Sequence, residues 1–542
     1  MNKNILRAVL SGLLLWAAWP PTPYSTFLLF IGLVPLLLAL EDIMQSSSGN
    51  KGKRIFWTSF LGFFIWNTLC IYWVYNSLKM IGEVIAVPLS LIPYSLGPLL
   101  MSTACWLYYK LRYITSPLKS LAGLVAFWIA YEFLHQSWDL SFPWMNLGNG
   151  FAVSHQWVQW YEYTGVYGGT LWVLAVNILF FLAYTSYRHA DKSYKLFGGA
   201  ALLLIALPIG ISLGMYSSYE EQQNPANVVV VQPNVDPYAK YGSEPVSAQL
   251  ENLIQLSDSL GQPNTEYFIW PETAIPANVN EELIRSNPYY IRIQEFLDKY
   301  KNANVLSGIE SYKVYNYEAT ASSRATNNPN EYYDAFNAAV NIENSAMVQF
   351  HHKSKLVPGA EQMPFGSALS FLKPVFAQLG GSSGSYGKQD EPEVFYSQNG
   401  IGAAPVICFE SIWGGYVGQY IEKGAQFIAV ITNDGWWENT SGKDQHLDYA
   451  KLRAIETRRW VCRSANTGIS AFINQRGDIT QKTSWWKKDA LKADINLNSE
   501  ITFYVKYGDF IAWIGSIITI LVVVWLIFSK SLEKFFYKKQ QI

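Results

Sequence analysis

The chain is short of charge. Only 15% of its 542 residues are Asp, Glu, Lys or Arg, against about 25% in a soluble globular protein. The shortfall argues against an ordinary soluble enzyme. The charges present cancel, 40 Lys and Arg against 41 Asp and Glu for a net −1, so no global field draws in nucleic acid. Cysteine is also scarce: four residues cannot form a disulfide scaffold for a chain this long. GxGxxG, P-loop and HExxH motifs are all absent, and His351 and His352 have no partner at zinc spacing. No cofactor and no metal are expected.

Apolar and aromatic residues are abundant. The chain is 50% hydrophobic, with 21 Trp and 35 Tyr, which excludes disorder and fits repeated contact with a membrane interface. A membrane-crossing helix needs about 20 mostly apolar residues. Eight runs approach this: 5–19, 26–40, 55–75, 84–109, 118–134, 168–185, 196–215 and 510–528. The first two are short, and tilted or re-entrant placement is open for them. The first also resembles a signal peptide, but it lacks a small-residue cleavage site and runs into Trp19-Pro20-Pro21, which favours an uncleaved anchor.

Basic residues alternate between links. Lys51, Lys53 and Arg54 lie in one, Lys110 and Arg112 in the next, then Arg188, Lys192 and Lys195, and finally Lys530, Lys534, Lys538 and Lys539. The links between are nearly bare. The bias places both termini in the cytoplasm and the large polar segment across the membrane. The expected organisation is a transmembrane part at 1–216, an extramembrane domain at 217–505, and a last span with a basic tail at 506–542.

The extramembrane segment alternates β-branched runs with helical patterns. NVVVVQPNV (227–235) and QFIAVITNDGWW (426–437) read as strands buried on both faces, and 284–300 and 444–460 as helices. The pattern indicates an α/β domain.

Three strand ends carry reactive side chains: Glu272 after FIWP, Lys353 in HHKSKLVP, and Cys408 after PVI. Each alone is weak, since a Glu after Trp-Pro is often a cap, a Lys beside another Lys is often solvated, and a buried Cys is often filler. Together they make an acyl-transfer set. A thiol is mostly protonated at neutral pH, a carboxylate can take its proton, and an ammonium can stabilise the oxyanion. Glu361 and Glu410 are candidates to orient and tune the lysine. Lys355 is a rival for Lys353.

Trp-Pro-Glu at 270–272, Lys353 before Leu356-Val357-Pro358 and Glu361, and Cys408-Phe409-Glu410 together resemble the motif set of the nitrilase, or carbon–nitrogen hydrolase, superfamily. Asn433-Asp434-Gly435-Trp436-Trp437, His446 and the stretch 453–459 resemble the segment that follows that family's cysteine. The resemblance implies an α-β-β-α sandwich, with Glu272, Lys353 and Cys408 as base, oxyanion stabiliser and nucleophile. Such a domain between apolar spans resembles the membrane acyltransferase branch that completes bacterial lipoprotein maturation. Phe142-Pro143-Trp144, Glu132, Thr502, Tyr504, Gly508 and Asp509 add to that likeness. Three positions depart from it: Phe409 where Tyr is common, Gly359-Ala360 where Phe-Gly is common, and His135 where Arg is common.

The branch resemblance implies that a phospholipid, expected to be phosphatidylethanolamine, gives an acyl chain to Cys408. The thioester then passes it to the α-amine of a diacylglyceryl-cysteine at an apolipoprotein N-terminus. The alternative is a membrane-anchored amidase with water as acceptor. The inner membrane is the expected site, with the catalytic domain periplasmic and the chain a monomer. Residues 365–379 are a candidate lid, next to the flexible run 380–387, with packing on the domain core as the other reading. Trp436, Trp437, Phe365, Phe371, Trp144 and Trp73 are candidates to line the substrate pocket. For Trp436 and Trp437, core packing is also open. Cys70, Cys105 and Cys462 read as packing residues.

Overall fold

Apolar runs poor in turn residues become helices. The computed structural model describes residues 2–47, 49–79, 82–238, 240, 244–320, 322–365 and 385–539. The chain forms two units, Met1–Tyr72 with Val87–Met215 and Asp509–Ile542, and Trp73–Ala86 with Tyr216–Gly508.

The first unit is helical. Among the described residues, seven helices are long and apolar enough to cross a membrane: Thr26–Gln45, Lys51–Ile71, Glu83–Arg112, Pro117–Gln136, Tyr161–Arg188, Tyr194–Ser218 and Phe503–Ser529. The first expected run is shorter. It forms a 15-residue helix, Lys3–Ala17, about 22 Å long at 1.5 Å per residue, against about 30 Å of hydrocarbon. Pro20 and Pro21 disfavour helix in the residues before them, which limits its length. The helix packs on Lys51–Ile71 through glycine: a Cβ on Gly12 would lie 2.4 Å from the Gly62 carbonyl oxygen. Small residues allow such close backbone approach. Arg7 Nη1 lies 2.7 Å from Asp42 Oδ2, so the start of this helix and the end of Val34–Gln45 share one end of the unit.

Glu132 is fully buried in this unit. It accepts from Trp128 Nε1 at 3.0 Å, the Leu147 N–H at 2.9 Å and the Thr170 hydroxyl at 2.8 Å. Three donors offset the cost of burying a carboxylate. They also tie the turn Leu147–Phe151 to the helices on either side.

The second unit has two sheets. The first contains β1 (Pro225–Gln232), β2 (Thr265–Ile269), β3 (Ile275–Asn280), β4 (Asn304–Tyr315), β5 (Arg324–Ala325), β6 (Tyr332–Glu343), β7 (Val348–His352) and β14 (Asp489–Asn496), in the order β14-β1-β2-β4-β6-β5, with β3 on β4 and β7 on β6. The second contains β8 (Phe395–Tyr396), β9 (Gly402–Ile407), β10 (Phe427–Thr432), β11 (Val461–Ala465), β12 (Ala471–Ile473) and β13 (Ile479–Lys482), in the order β13-β12-β11-β10-β9-β8. β1, β2 and β4 run parallel, as do β9, β10 and β11.

The side-chain period of two assigns the faces. Val228 and Val230 of β1 enter a core shared with Ile407, Phe427, Ala429 and Ile431 of the other sheet. Val229 and Val231 enter a second core beneath the helices Val246–Leu260 and Pro288–Leu297. Helices Gly414–Glu422 and Ser441–Thr457 pack with the second sheet. The result is the expected α-β-β-α sandwich. Tyr267 and Phe427 meet across the sheets, ring centroids 5.2 Å apart.

Candidate active site

Glu272 stands three residues beyond β2, Lys353 directly after β7 and Cys408 directly after β9. Residues 81 and 55 apart in sequence meet because their strands end together. Lys353 Nζ donates to Glu272 Oε1 at 3.0 Å and to Glu361 Oε1 at 2.8 Å. Asn337 Nδ2 donates to the same two oxygens, each at 2.9 Å. The Cys408 thiol and the Glu272 carboxylate are close enough for each to shift the other's pKa. Lys355 faces elsewhere, with its Nζ 5.1 Å from the Tyr416 ring centroid, so Lys353 is the lysine brought to the glutamate.

Cys408 turns the chain sharply from β9 into the short helix Cys408–Ile412, at φ 50°. A non-glycine residue there is strained, and such strain clusters at functional sites. Burial and the neighbouring Glu272 push the thiol far above its usual range, against the pull of Lys353. The resting sulfur is therefore a protonated thiol. Glu272 goes the other way: burial raises its carboxyl, but the Lys353 charge and bonds from Asn337, Lys353 and Cys408 outweigh this and hold it below the usual range. Burial disfavours the Lys353 ammonium, yet Glu272, Glu361 and Cys408 raise it well above the ordinary lysine value. A charged base and a charged cation thus flank a neutral nucleophile.

Glu361 meets the expectation of a carboxylate on the lysine. Glu410 does not touch the ammonium. It accepts the backbone N–H of Ser354 at 2.6 Å and of Lys355 at 3.3 Å through one oxygen, and that of Ile407 at 2.9 Å through the other. It joins the lysine loop to the cysteine turn.

A second buried network holds the turn from beneath. His446 Nε2 lies 3.2 Å from the Cys408 carbonyl oxygen and 2.8 Å from Ser411 Oγ, and Nδ1 lies 2.9 Å from Asp434. Asp434 pairs with Arg463 and accepts from Thr432 at 2.8 Å. Burial and the Arg463 charge lower the His446 pKa, so the ring is neutral at physiological pH. Asn337, Ser411, Thr432 and Arg463 were not legible as site residues. Asp434 and His446 stood in recognised motifs, without roles.

The aromatic candidates separate. Trp437 packs 4.8 Å from Trp73 and 5.3 Å from His446, centroid to centroid. Trp73 is buried and donates to Gln445 at 3.1 Å. Trp436 meets Tyr238 edge-on at 5.4 Å. Phe365 is exposed, at φ 52°. Trp144 is fully buried and stacks on Phe142 in the helical unit, the place of a core residue. Phe371 and the candidate lid beyond residue 365 lie outside the described residues. Cys462 packs in the core between the sheets, and Cys70 and Cys105 are buried free thiols.

Residues 222–503 match the family described as Carbon-nitrogen hydrolase, and residues 11–179 match the Apolipoprotein N-acyltransferase N-terminal domain. A protein of Chlorobaculum tepidum named apolipoprotein N-acyltransferase is 29% identical over 523 residues, covering 94% of each chain. One of Geobacter metallireducens with the same name is 25% identical, covering 94% of this chain and 93% of that one. The solved structure of Saccharomyces cerevisiae Nit3, of the nitrilase superfamily, aligns at 14% identity and TM-score 0.36, covering 51% of this chain and 92% of that one.

Proposed function

The chain belongs to the carbon–nitrogen hydrolase family, and from that premise we propose how Glu272, Lys353 and Cys408 carry an acyl chain from a phospholipid to a lipoprotein. The activity is apolipoprotein N-acylation, at a bacterial membrane. The observation that carries the site assignment is the Lys353 ammonium 3.0 Å from Glu272, on a carboxylate whose charge acts on the Cys408 thiol.

Glu272 takes the thiol proton as sulfur attacks the ester carbonyl. A thiol held protonated until attack needs a neighbouring base, and Glu272 is the carboxylate whose charge acts on it. Lys353 stabilises the oxyanion. The carbon–oxygen bond of the ester breaks, and the lysophospholipid hydroxyl leaves with the proton from Glu272. A thioester remains on Cys408. The α-amine of the diacylglyceryl-cysteine then attacks it, loses its proton to Glu272 and leaves as the amide, and the thiol is restored. Two half-reactions on one sulfur predict ping-pong kinetics.

Phosphatidylethanolamine is the proposed donor and the chain acts as a monomer. It sits in the inner membrane with its catalytic domain in the periplasm and both termini in the cytoplasm. The alternating Lys and Arg links support that orientation. So does the Arg7–Asp42 pair, which sets the N-terminus beside the basic link 41–54. Both substrates carry acyl chains, each held in the bilayer by about 0.8 kcal/mol per buried CH₂, so a membrane-attached site avoids extracting them. Trp436, Trp437 and Trp73 are the proposed aromatic lining.

The test is intact mass of the purified chain after incubation with phosphatidylethanolamine and no acceptor. A gain of one fatty acyl group is expected in the parent and none in Cys408→Ala, with loss of the adduct when an amine acceptor is added. A chain that turns over while never carrying an acyl adduct sinks the reading. An adduct released equally fast by water alone would point to an amidase.

A further inference from the structure

The reaction above makes no use of Lys240, a buried cation beside the base. Lys240 is 2% exposed. Its Nζ donates to the Thr273 hydroxyl at 2.5 Å and to the Glu272 backbone carbonyl at 3.2 Å. Its own carbonyl accepts from Gln249 Nε2 at 2.9 Å, so the helix Val246–Leu260 fixes the lysine.

Thr273 stands at φ 46°. A β-branched residue in that region is a backbone outlier that persists only when its surroundings hold it. Two things hold it here. On one side is Gly308, where a Cβ would lie 2.4 Å from the Thr273 nitrogen and 2.6 Å from the Glu272 Cα. The Gly308 N–H donates to the Pro271 carbonyl at 3.1 Å. The other constraint is the Lys240 ammonium, bonded to both residues of the turn.

We propose that Lys240 is a positioning residue for the base: its ammonium clamps the Glu272–Thr273 turn, keeps the Glu272 carboxylate aimed at Cys408, and adds a positive charge beside it. The inference rests on Glu272 being the base. The charge balance agrees, since among the described residues Lys353 alone forms a salt bridge to Glu272 and Glu361. The charged groups facing Lys240 are Glu272 and Glu310 of β4, and the Glu310 carboxylate also accepts from the Tyr386 hydroxyl at 3.4 Å. Lys353 and Glu361 lie beyond Glu272. Burial lowers the Lys240 pKa to about 8, against the upward pull of Glu272 and Glu310. The clamp is therefore charged at neutral pH and loses its proton in mild alkali.

The experiment follows the acylation half-reaction of the full chain in detergent, with a fluorescent phosphatidylethanolamine and no acceptor, across pH 5 to 10. Lys240→Met is expected to acylate about 10²-fold more slowly, the scale of a misaimed catalytic group, with unchanged half-saturation for the phospholipid. Its acid limb moves to higher pH, because Glu272 loses a neighbouring positive charge. The parent slows above about pH 8 as Lys240 deprotonates, and Lys240→Arg keeps its rate past that point. Thr273→Val, which loses one acceptor, slows acylation less and in the same direction. A Lys240→Met rate within twofold of the parent with an unmoved acid limb overturns the proposal, as does a change confined to half-saturation. If Lys240→Met does not fold, an arginine variant that keeps the parental alkaline limb overturns it. Adduct formation in Cys408→Ala or an unimpaired Glu272→Gln would instead remove the premise, so the two failures are distinguishable.

Discussion

Glu410 accepts the backbone N–H of Ser354 at 2.6 Å, although its own residue lies two positions after the nucleophile. Its second oxygen accepts the N–H of Ile407, one residue before the nucleophile. One carboxylate thus sets the distance between the cysteine turn and the lysine loop without touching any reacting atom. Glu410→Gln keeps one carbonyl acceptor and loses the second. A buried N–H left without its acceptor costs about 1–3 kcal/mol, and each 1.36 kcal/mol in the barrier is tenfold in rate. The expected loss in acylation rate is about 10- to 10²-fold, with half-saturation for phospholipid unchanged. A rate equal to the parent's would show that the bridge sets nothing.

Asn337 tunes the base directly. Its amide donates to Glu272 and to Glu361 at 2.9 Å each. Donors to a carboxylate favour its charged form. Glu272 has a depressed folded value, so its activity as base persists as pH falls until that low value is reached. Asn337→Leu removes the donor and raises the carboxyl, and the acid limb of acylation is expected to move to higher pH. An acid limb at the parental position would show that Lys353 alone sets the charge of the base.

The apolar runs, the alternation of strands and helices, and the three reactive strand ends were legible in the sequence because each has a local signature. What was not legible depends on distant segments meeting. Asn337 lies mid-strand in β6 and looks like an ordinary polar strand residue until β7 delivers Lys353 beside it. Arg463 follows a helical Arg-rich stretch, yet it lies in β11, parallel to β10, and that pairing brings it to Asp434. The helix Lys3–Ala17 keeps the 15-residue length of the apolar run 5–19 and begins two residues earlier, ending before the two prolines. Glu410 was expected at the lysine's charge and holds backbone instead, a choice that composition cannot encode.

Asp434 and Arg463 form a fully buried pair, and His446 lies on the same carboxylate. Removing one partner of such a pair costs about 3–5 kcal/mol, so Asp434→Asn should lower the midpoint of thermal unfolding and loosen the Cys408 turn. The sign of the pH effect follows from the depressed folded pKa, where burial is outweighed by Arg463 and His446. The carboxylate contributes stability above its unfolded value, about 3.9, and the contribution is lost as pH falls toward the lower folded value. Unfolding midpoints of parent and variant should therefore differ most at neutral pH and converge in acid. A gap that widens below pH 4 would contradict the pair as the source.

Gly442 tests whether the tryptophan behind His446 is held rigidly. On helix propensity alone Gly442→Ala should stabilise, but by less than the ~1 kcal/mol of a helix interior, because Gly442 is the second residue of Ser441–Thr457. The packing argues the other way. A Cβ there would lie 2.7 Å from Cδ2 and 3.1 Å from Cε2 of the Trp73 ring. That ring cannot swing away freely, because Gln445 accepts from its Nε1 at 3.1 Å and Trp437 packs on it. Overpacking of this kind typically costs 1–3 kcal/mol, which exceeds the propensity gain. Gly442→Ala is therefore expected to lower the unfolding midpoint and, through Trp437 and His446, to slow acylation. Trp73→Phe shrinks the ring and deletes its N–H, so the double variant should recover part of the loss, and a double-mutant cycle of unfolding free energies reads that coupling. Additive effects of the two substitutions would mean that Trp73 yields, and that the contact does not transmit to the nucleophile turn.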